Sequence, residues 1–201
     1  MLTLSKFISY ALHPILFSTI GSLMYFLLSP SHIPKPQEHI ILVVIFAGTY
    51  LLPLLLLYIL KHFQLIDSFE LETIEERKFP ILFLVLLTYL IGRMLLSLQG
   101  VDLLAYSFYG SCMALLISYL LFYLKIKTSI HTMGIGSLIG FIVMMSIYYE
   151  MNFNLLLAIL VILAGFIGSA RLALEVHKPF EILLGIVIGI GSQLLVFFYN
   201  R

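Results

Sequence analysis

Charge is scarce in this chain. Lysine, arginine, aspartate and glutamate make up 10% of the 201 residues and hydrophobic residues make up 62%, whereas charged residues are about 25% of an ordinary soluble domain. The mean hydropathy is +1.12. Composition therefore excludes a soluble domain and indicates a membrane protein. The net charge of +1, without a block rich in lysine and arginine, argues against nucleic acid as a partner.

Cysteine is nearly absent and tryptophan is absent. The single cysteine, Cys112, allows no intramolecular disulfide and no thiolate metal cluster, and it does not identify the redox compartment. A metal site needs three or four clustered His, Cys, Asp or Glu ligands. The two candidate histidines, His131 and His177, are flanked by cations, which would repel a metal ion. We therefore expect no metal and no other cofactor.

Long apolar runs occupy most of the chain. A helix needs about 20 residues to cross about 30 Å of hydrocarbon, and the strict alternation of a membrane barrel strand is missing. About seven runs qualify: 5–29, 40–60, 79–98, 103–124, 132–149, 153–174 and 179–199. We predict an all-α integral membrane protein, a bundle of about six to seven transmembrane helices in one polytopic domain, 1–201.

Polar residues concentrate at three junctions between the runs, 61–80, 125–134 and 169–185. If each run crosses the membrane once, these junctions emerge on the same side, here named the motif face. The opposite junctions look like plain turns. Small residues four apart predict close packing of the last three helices, which would join the second and third junctions; the pairs are Gly136 and Gly140, Ala164 and Gly168, Gly165 and Ser169, and Gly185 and Gly189.

The last polar junction reads SARLALEVHKPFEILLG. Pro179 suits the first turn of a helix, and Glu181 lies four residues after His177, within reach of the imidazole. A carboxylate that holds one ring nitrogen of a histidine leaves the other more nucleophilic. Two simpler roles remain open, namely Glu181 as a helix cap and Arg171 as an i,i+4 ion-pair partner of Glu175.

Cations on the motif face form an anion-binding region, because guanidinium groups bind phosphate oxygens in a bidentate manner. Its members are Arg77, Lys78, Arg171 and Lys178. Together with two histidines and one carboxylate, this pattern favours phosphoryl chemistry.

These residues resemble the type 2 phosphatidic acid phosphatase (PAP2) superfamily of membrane lipid phosphatases. The third motif of that family reads Ser-Arg, five residues, His, three residues, Asp. The chain keeps both spacings in Arg171-LALEV-His177-KPF-Glu181, with glutamate in place of aspartate and Ala170 inserted after Ser169. The third motif therefore carries the resemblance.

The first and second motifs are degenerate in this chain. The family sequence Pro-Ser-Gly-His is similar to TSIH at 128–131, which retains Ser129 and His131. Of the first motif, a lysine followed six residues later by Arg-Pro, only Arg77 and Pro80 remain. The resemblance spans 77–185, in the family's order.

The resemblance implies a metal-independent membrane phosphatase or phosphotransferase that acts on a lipid phosphate or isoprenoid pyrophosphate through a phosphohistidine. His177 would attack phosphorus, Glu181 would orient it, and His131 would protonate the leaving oxygen. The implied phosphate-binding residues are Arg171, Arg77, Lys78 and Ser129. It also implies a PAP2-like core at 77–199 after N-terminal helices at 1–60, in a multi-pass protein of the bacterial inner membrane whose partners are membrane lipids.

A rival hypothesis is a catalytically inactive relative that binds, transports or scaffolds lipid phosphate. The degenerate first motif supports it, as do the glutamates around Arg77, which are Glu70, Glu72, Glu75 and Glu76. The two histidines and the spaced carboxylate favour an enzyme. The positive-inside rule favours a cytoplasmic motif face, whereas bacterial members of the resembled family usually act on the outer face. The side of the membrane that carries the site, the lipid that is the substrate and the oligomeric state all stay open at this point.

Overall fold

The structure, a computed structural model, describes residues 2–30, 33–69, 71 and 73–201. Their regular structure is helical, and no strand occurs among them. The helices are α1 (Leu2–Ala11), α2 (Phe17–Leu28), α3 (Lys35–Phe46), α4 (Leu52–His62), α5 (Ile74–Leu96), α6 (Asp102–Leu121), α7 (Ile130–Tyr149), α8 (Asn154–Ala173) and α9 (Pro179–Asn200). Short 3-10 turns lie at Pro14–Leu16 and Phe122–Leu124, and a π-helical turn lies at Ala47–Leu51.

Seven helical stretches of the described residues are long and apolar enough to cross a membrane. They are Ser5–Leu28, Lys35–His62, Ile74–Leu96, Asp102–Leu124, Ile130–Tyr149, Asn154–Ala173 and Pro179–Asn200. The predicted all-α, multi-pass membrane fold is thereby confirmed. The second and third stretches begin about five residues earlier than predicted, because the helices extend into polar residues that hydropathy alone leaves out.

The first span bends at His13 and Pro14. Helix α1 ends at Ala11, and Pro14 opens the 3-10 turn that leads into α2. The Ile15 N–H donates to His13 Nδ1 at 3.4 Å, which satisfies a backbone donor where the proline interrupts the helix. This bend lets α1 pack against α8.

Helix α7 lies at the centre of the bundle and packs closely against α9. A Cβ on Gly185 would lie 2.6 Å from the Ser129 carbonyl oxygen, and one on Gly136 would lie 2.7 Å from the Ile186 carbonyl oxygen. Glycine is therefore required where these two helix backbones touch. Gly165 differs from this expectation, since a Cβ there would meet nothing within 4 Å.

The three polar junctions meet on one face, as the parity of the spans predicts. Three hydrogen bonds join them: Arg77 Nη1 donates to the Thr128 carbonyl at 3.2 Å, the Ser129 N–H donates to the Glu181 carbonyl at 3.2 Å, and Lys127 Nζ donates to the Val176 carbonyl at 3.3 Å. The start of α7 and the start of α9 are thus held side by side at the motif face.

Candidate active site

A cavity of about 330 Å³ runs from the motif face into the bundle. This volume lies at the lower end of the range of small-molecule sites, about 300 to 1,000 Å³. At the motif face, the polar side chains of its wall include Ser9, His13, Arg77, His131, Arg171 and His177. The structure therefore brings four of the seven predicted site residues, His177, His131, Arg171 and Arg77, to one cavity.

His177 and Glu181 form the pair that their spacing predicts. Pro179 begins α9, so Glu181 in its first turn reaches back to the histidine. His177 Nδ1 lies 2.7 Å from Glu181 Oε2, and the same oxygen accepts the Lys178 N–H at 3.2 Å. Glu181 thus orients the imidazole and caps the helix at the same time. Its predicted role beside His177 and its alternative role as a helix cap are both present.

His177 is 93% buried, and this burial controls its charge. The pKa of His177 is lowered to about 4, chiefly by desolvation. The hydrogen bond to Glu181 raises this pKa, and the positive charges of Arg77, Lys127 and Arg171 lower it. The imidazole is therefore neutral at pH 7. Because Nδ1 must donate to the carboxylate, Nε2 is the ring nitrogen that carries a lone pair.

Arg171 is 4% exposed and directs its side chain at helix α1. Its Nη1 donates to Ser9 Oγ at 2.6 Å. Ser9 Oγ in turn lies 3.5 Å from His131 Nε2. Glu175, the alternative ion-pair partner that the sequence suggested, is exposed beyond the end of α8, with a left-handed backbone of φ 56°. Arg171 is therefore a wall residue of the cavity.

Ser9 is a residue of the cavity wall that sequence reasoning missed. It is buried and connects Arg171 with His131, two side chains that come from other parts of the chain. The only local signal is that Ser5 and Ser9, both buried, lie four residues apart on one side of an apolar helix. That spacing marks a polar helix face but does not identify its partner.

His13 has a second contact besides its place in the bend. Its ring packs edge-on against the ring of His131, with centroids 5.2 Å apart. Both rings line the cavity. His13 therefore both lies at the bend of the first span and supports the orientation of His131.

Arg77 and Lys78 point in different directions. Arg77 is buried in the cavity wall, where Nε donates to the Leu71 carbonyl at 2.6 Å and Nη1 donates to the Thr128 carbonyl. Lys78 instead forms an ion pair with Glu75 at 2.8 Å and does not line the cavity. Successive residues of a helix lie about 100° apart around its axis, so only one of the two can face the bundle interior.

Ser129 is fully buried at the start of α7, outside the cavity wall. Its Oγ accepts the Thr132 N–H at 3.4 Å, which makes it the N-cap of the helix that carries His131. The structure therefore places Ser129 beneath the site as a cap and does not bring its hydroxyl to the cavity.

The glutamates that support an inactive relative do not converge on Arg77 as far as the structure describes them. Glu70 and Glu72 lie outside the described residues. Glu75 pairs with Lys78, and Glu76 accepts the Thr73 N–H at 3.1 Å in a capping box at the start of α5. The two described carboxylates thus stabilise the start of a helix. Among the described residues, no three His, Cys, Asp or Glu side chains are grouped as metal ligands would be.

Comparison with known proteins gives one match. Residues 121–200 match the family model of the PAP2 superfamily. That range contains His131, Arg171, His177 and Glu181, and it excludes Arg77. No curated protein and no solved structure matches the chain. The resemblance indicated by the motifs is confirmed over residues 121–200, and it supports a phosphatase-type hydrolase in general.

Proposed function

We propose, with the PAP2 match of residues 121–200 as the premise, that this membrane protein is a metal-independent phosphatase or phosphotransferase. Its substrate is a lipid phosphate or pyrophosphate, and its intermediate is a phosphohistidine. The observation that carries the proposal is the 2.7 Å contact between His177 and Glu181 in a cavity wall that also holds His131 and Arg171.

In the first step the Nε2 lone pair of neutral His177 forms a bond to phosphorus, and the bond from phosphorus to the lipid oxygen breaks. Protonated His131 gives its proton to that oxygen, so the lipid leaves as an alcohol or, from a pyrophosphate, as the monophosphate. Glu181 stabilises the positive charge that develops on the His177 ring. Arg171 and Arg77 bind the non-bridging oxygens, where charge stabilisation dominates phosphoryl transfer.

In the second step water attacks the phosphohistidine. Neutral His131 takes a proton from that water, the bond between phosphorus and Nε2 breaks, and inorganic phosphate leaves. His177 returns to its neutral form and His131 to its protonated form, so the cycle closes without a metal or a redox partner. If an alcohol replaces water, the same step transfers the phosphate group.

The substrate class follows from the position of the cavity. Its histidines and arginines lie at the motif face, and its deeper wall is formed by the middle parts of the membrane spans. An amphiphile with its phosphate at the interface and its chain among the helices fits this arrangement. We assign no phosphate contact to Lys78 or Ser129, because neither side chain lines the cavity. We place the protein in a bacterial inner membrane, as the resemblance implies.

A lipid-phosphate binder without turnover is the second candidate. One observation favours it: Arg77 already donates from Nε and Nη1 to backbone carbonyls of Leu71 and Thr128. These bonds occupy donors that a phosphate would otherwise use. The neutral, carboxylate-held His177 favours the enzyme.

Trapping the intermediate tests the proposal. Purified protein is mixed with a lipid phosphate labelled on phosphorus, quenched in base and mapped by proteolysis. We expect an acid-labile label on the peptide that contains His177, absent from His177→Ala. The label should be retained in Tyr25→Phe, since the Tyr25 hydroxyl donates to the Gly100 carbonyl at the opposite face of the bundle. Turnover without any labelled protein would replace the phosphohistidine by direct attack of water. Binding with neither turnover nor label would support the binder.

A further inference from the structure

The cavity extends much deeper than a phosphate group requires. On α7 it is lined from His131 to Phe141, about ten residues, which corresponds to about 15 Å at 1.5 Å per residue. On α5 it is lined from Arg77 to Thr88, which gives a similar depth. Because the hydrocarbon core is about 30 Å thick, the cavity reaches roughly the middle of the membrane. Its depth matches one leaflet.

Most of the inner wall is apolar; an exception is the side-chain oxygen of Gln193, which is buried and has no hydrogen-bond partner among the described residues. The large side chains of this wall include Phe17, Leu57, Ile81, Leu84, Leu138 and Phe141. Ser22 and Thr88 also line it, but their hydroxyls donate to carbonyls of their own helices: Ser22 Oγ to Ser18 at 2.8 Å and Thr88 Oγ1 to Leu84 at 2.8 Å. Donors that are already satisfied in this way need no polar ligand.

Small residues and a cross-link define the inner end. Gln193 is buried, and its Nε2 donates to the Ser107 carbonyl at 2.9 Å and to Ser111 Oγ at 3.2 Å, which joins α9 to α6. On the other side the π-helical turn places Gly48 in the wall, where a Cβ would lie 2.9 Å from Ile91 Cδ1. A π turn holds one extra residue and is frequent at functional sites.

We propose that this inner cavity holds one linear hydrocarbon chain of the substrate, and that its inner end, between Ser22 and Gln193, sets the longest chain accepted. The proposal rests on the proposed function for the position of the phosphate, which lies at His177. The chain enters from the motif face, where Tyr10 and Phe69 line the cavity and are also exposed. The chain belongs either to a single-chain lipid phosphate or to one arm of a two-chain lipid phosphate.

Selection by length follows from the packing of the chain. A lipid chain leaves one hydrocarbon environment for another, so the hydrophobic effect contributes little to its entry. The affinity instead depends on how well the chain fits the wall of the cavity, because a short chain leaves a void with lost contacts and a long chain exceeds the space. We therefore expect affinity to pass through an optimum of chain length.

The test measures binding without hydrolysis, in a His177→Ala background. Thermal stabilisation of the detergent-purified protein is recorded with straight-chain alkyl phosphates from butyl to hexadecyl phosphate. Ser22→Leu fills the inner end, and Ser137→Leu fills the wall about 9 Å beyond His131 on α7. Gly165→Leu adds the same side chain at a position where a Cβ meets nothing within 4 Å.

We expect Ser22→Leu to reduce the preference for the optimal chain over butyl phosphate about tenfold and to move the optimum to shorter chains. Ser137→Leu moves the optimum to still shorter chains, and Gly165→Leu leaves the chain-length profile unchanged. Retained stabilisation by butyl phosphate shows that each variant still folds around the phosphate site. If a variant does not fold, the chain-length profile of the parent protein still tests the proposal, because affinity without an optimum of chain length would overturn it. The same profile in the parent and in all folded variants would also overturn it.

Hydrolysis of the same series by proteins that retain His177 separates this inference from the proposed function. Turnover with one length profile in all variants would support the phosphatase and overturn the chain cavity. A shifted binding profile without turnover would support the chain cavity in a binder. Single-chain and two-chain phosphates of equal chain length, compared in the parent protein, identify the source of the chain.

Discussion

The two faces of the bundle differ in what they bury. At the motif face Arg77, Arg171 and His177 are all buried, and they meet around one cavity. At the opposite face the interhelical contacts are neutral: Tyr25 donates its hydroxyl to the Gly100 carbonyl at 2.9 Å, and Tyr149 donates to Tyr25. Buried ionisable groups near hydrocarbon are costly, so their concentration on one face indicates a function, whereas neutral tyrosines suffice to hold turns together.

Removing a charge from each face should give the largest contrast. We expect Arg171→Gln to reduce kcat/KM for a lipid phosphate about a hundredfold to a thousandfold, because it removes a guanidinium from the transferring phosphate. Arg93→Gln, at an exposed position near the opposite end of α5, should leave kcat/KM within twofold of the parent. Equal losses in the two variants would contradict the assignment of function to the motif face.

Glu181→Gln separates orientation from capping. The amide oxygen can still accept the Lys178 N–H, so the helix start is retained, but the negative charge beside the His177 ring is lost. We expect kcat to fall about tenfold to a hundredfold with an unchanged unfolding temperature. Glu75→Gln, in the exposed ion pair with Lys78, is the matched control. An unchanged kcat in Glu181→Gln would show that this carboxylate acts only as a helix cap.

The pH dependence should report the burial of His177. Because burial lowers its pKa to about 4 from the ordinary 6.5, we expect the acid limb of the kcat/KM profile to lie near pH 4, with a fall of about tenfold per pH unit below it. The folded state binds fewer protons between these values, so the unfolding free energy also falls as pH decreases from 6.5 to 4. His177→Ala should flatten that decrease. An acid limb at or above pH 6.5 would show a solvated imidazole.

Tyr25→Phe should have the smallest effect. It removes the hydroxyl that donates to the Gly100 carbonyl and accepts from Tyr149, so we expect the unfolding free energy to fall by about 1 kcal/mol. Turnover should be unchanged, since this residue lies away from the cavity mouth. Denaturation in detergent and a phosphate-release assay measure the two quantities. A loss of turnover as large as that of Arg171→Gln would remove the distinction between the faces.

Features that depend on local spacing were predictable from the sequence. Apolar runs of membrane length gave the seven spans, and the parity of single crossings placed three junctions on one face. The pair of His177 and Glu181 needed only the distance of one helical turn and a proline at the first helical position. In each case the chain itself fixes the geometry over a few residues or over one membrane thickness.

Features that depend on how helices meet were not predictable. Ser9 contacts Arg171 across 162 positions of the chain, and only the bend at Pro14 brings α1 to α8. Nothing in the apolar surface of α5 distinguishes its sides, so periodicity could not tell that Arg77 faces inward and Lys78 outward. The resemblance assigned the hydroxyl of Ser129 to phosphate binding, whereas in the structure this hydroxyl accepts the Thr132 N–H and caps α7.

Phosphate release in the presence of a chelator tests the central claim most directly. Detergent-purified protein and His177→Ala are compared on a panel of lipid phosphates and pyrophosphates. The account predicts turnover that resists the chelator and falls at least about a thousandfold in His177→Ala, which still binds lipid phosphate. Turnover that persists in the variant, or no turnover on any lipid in either protein, would contradict it.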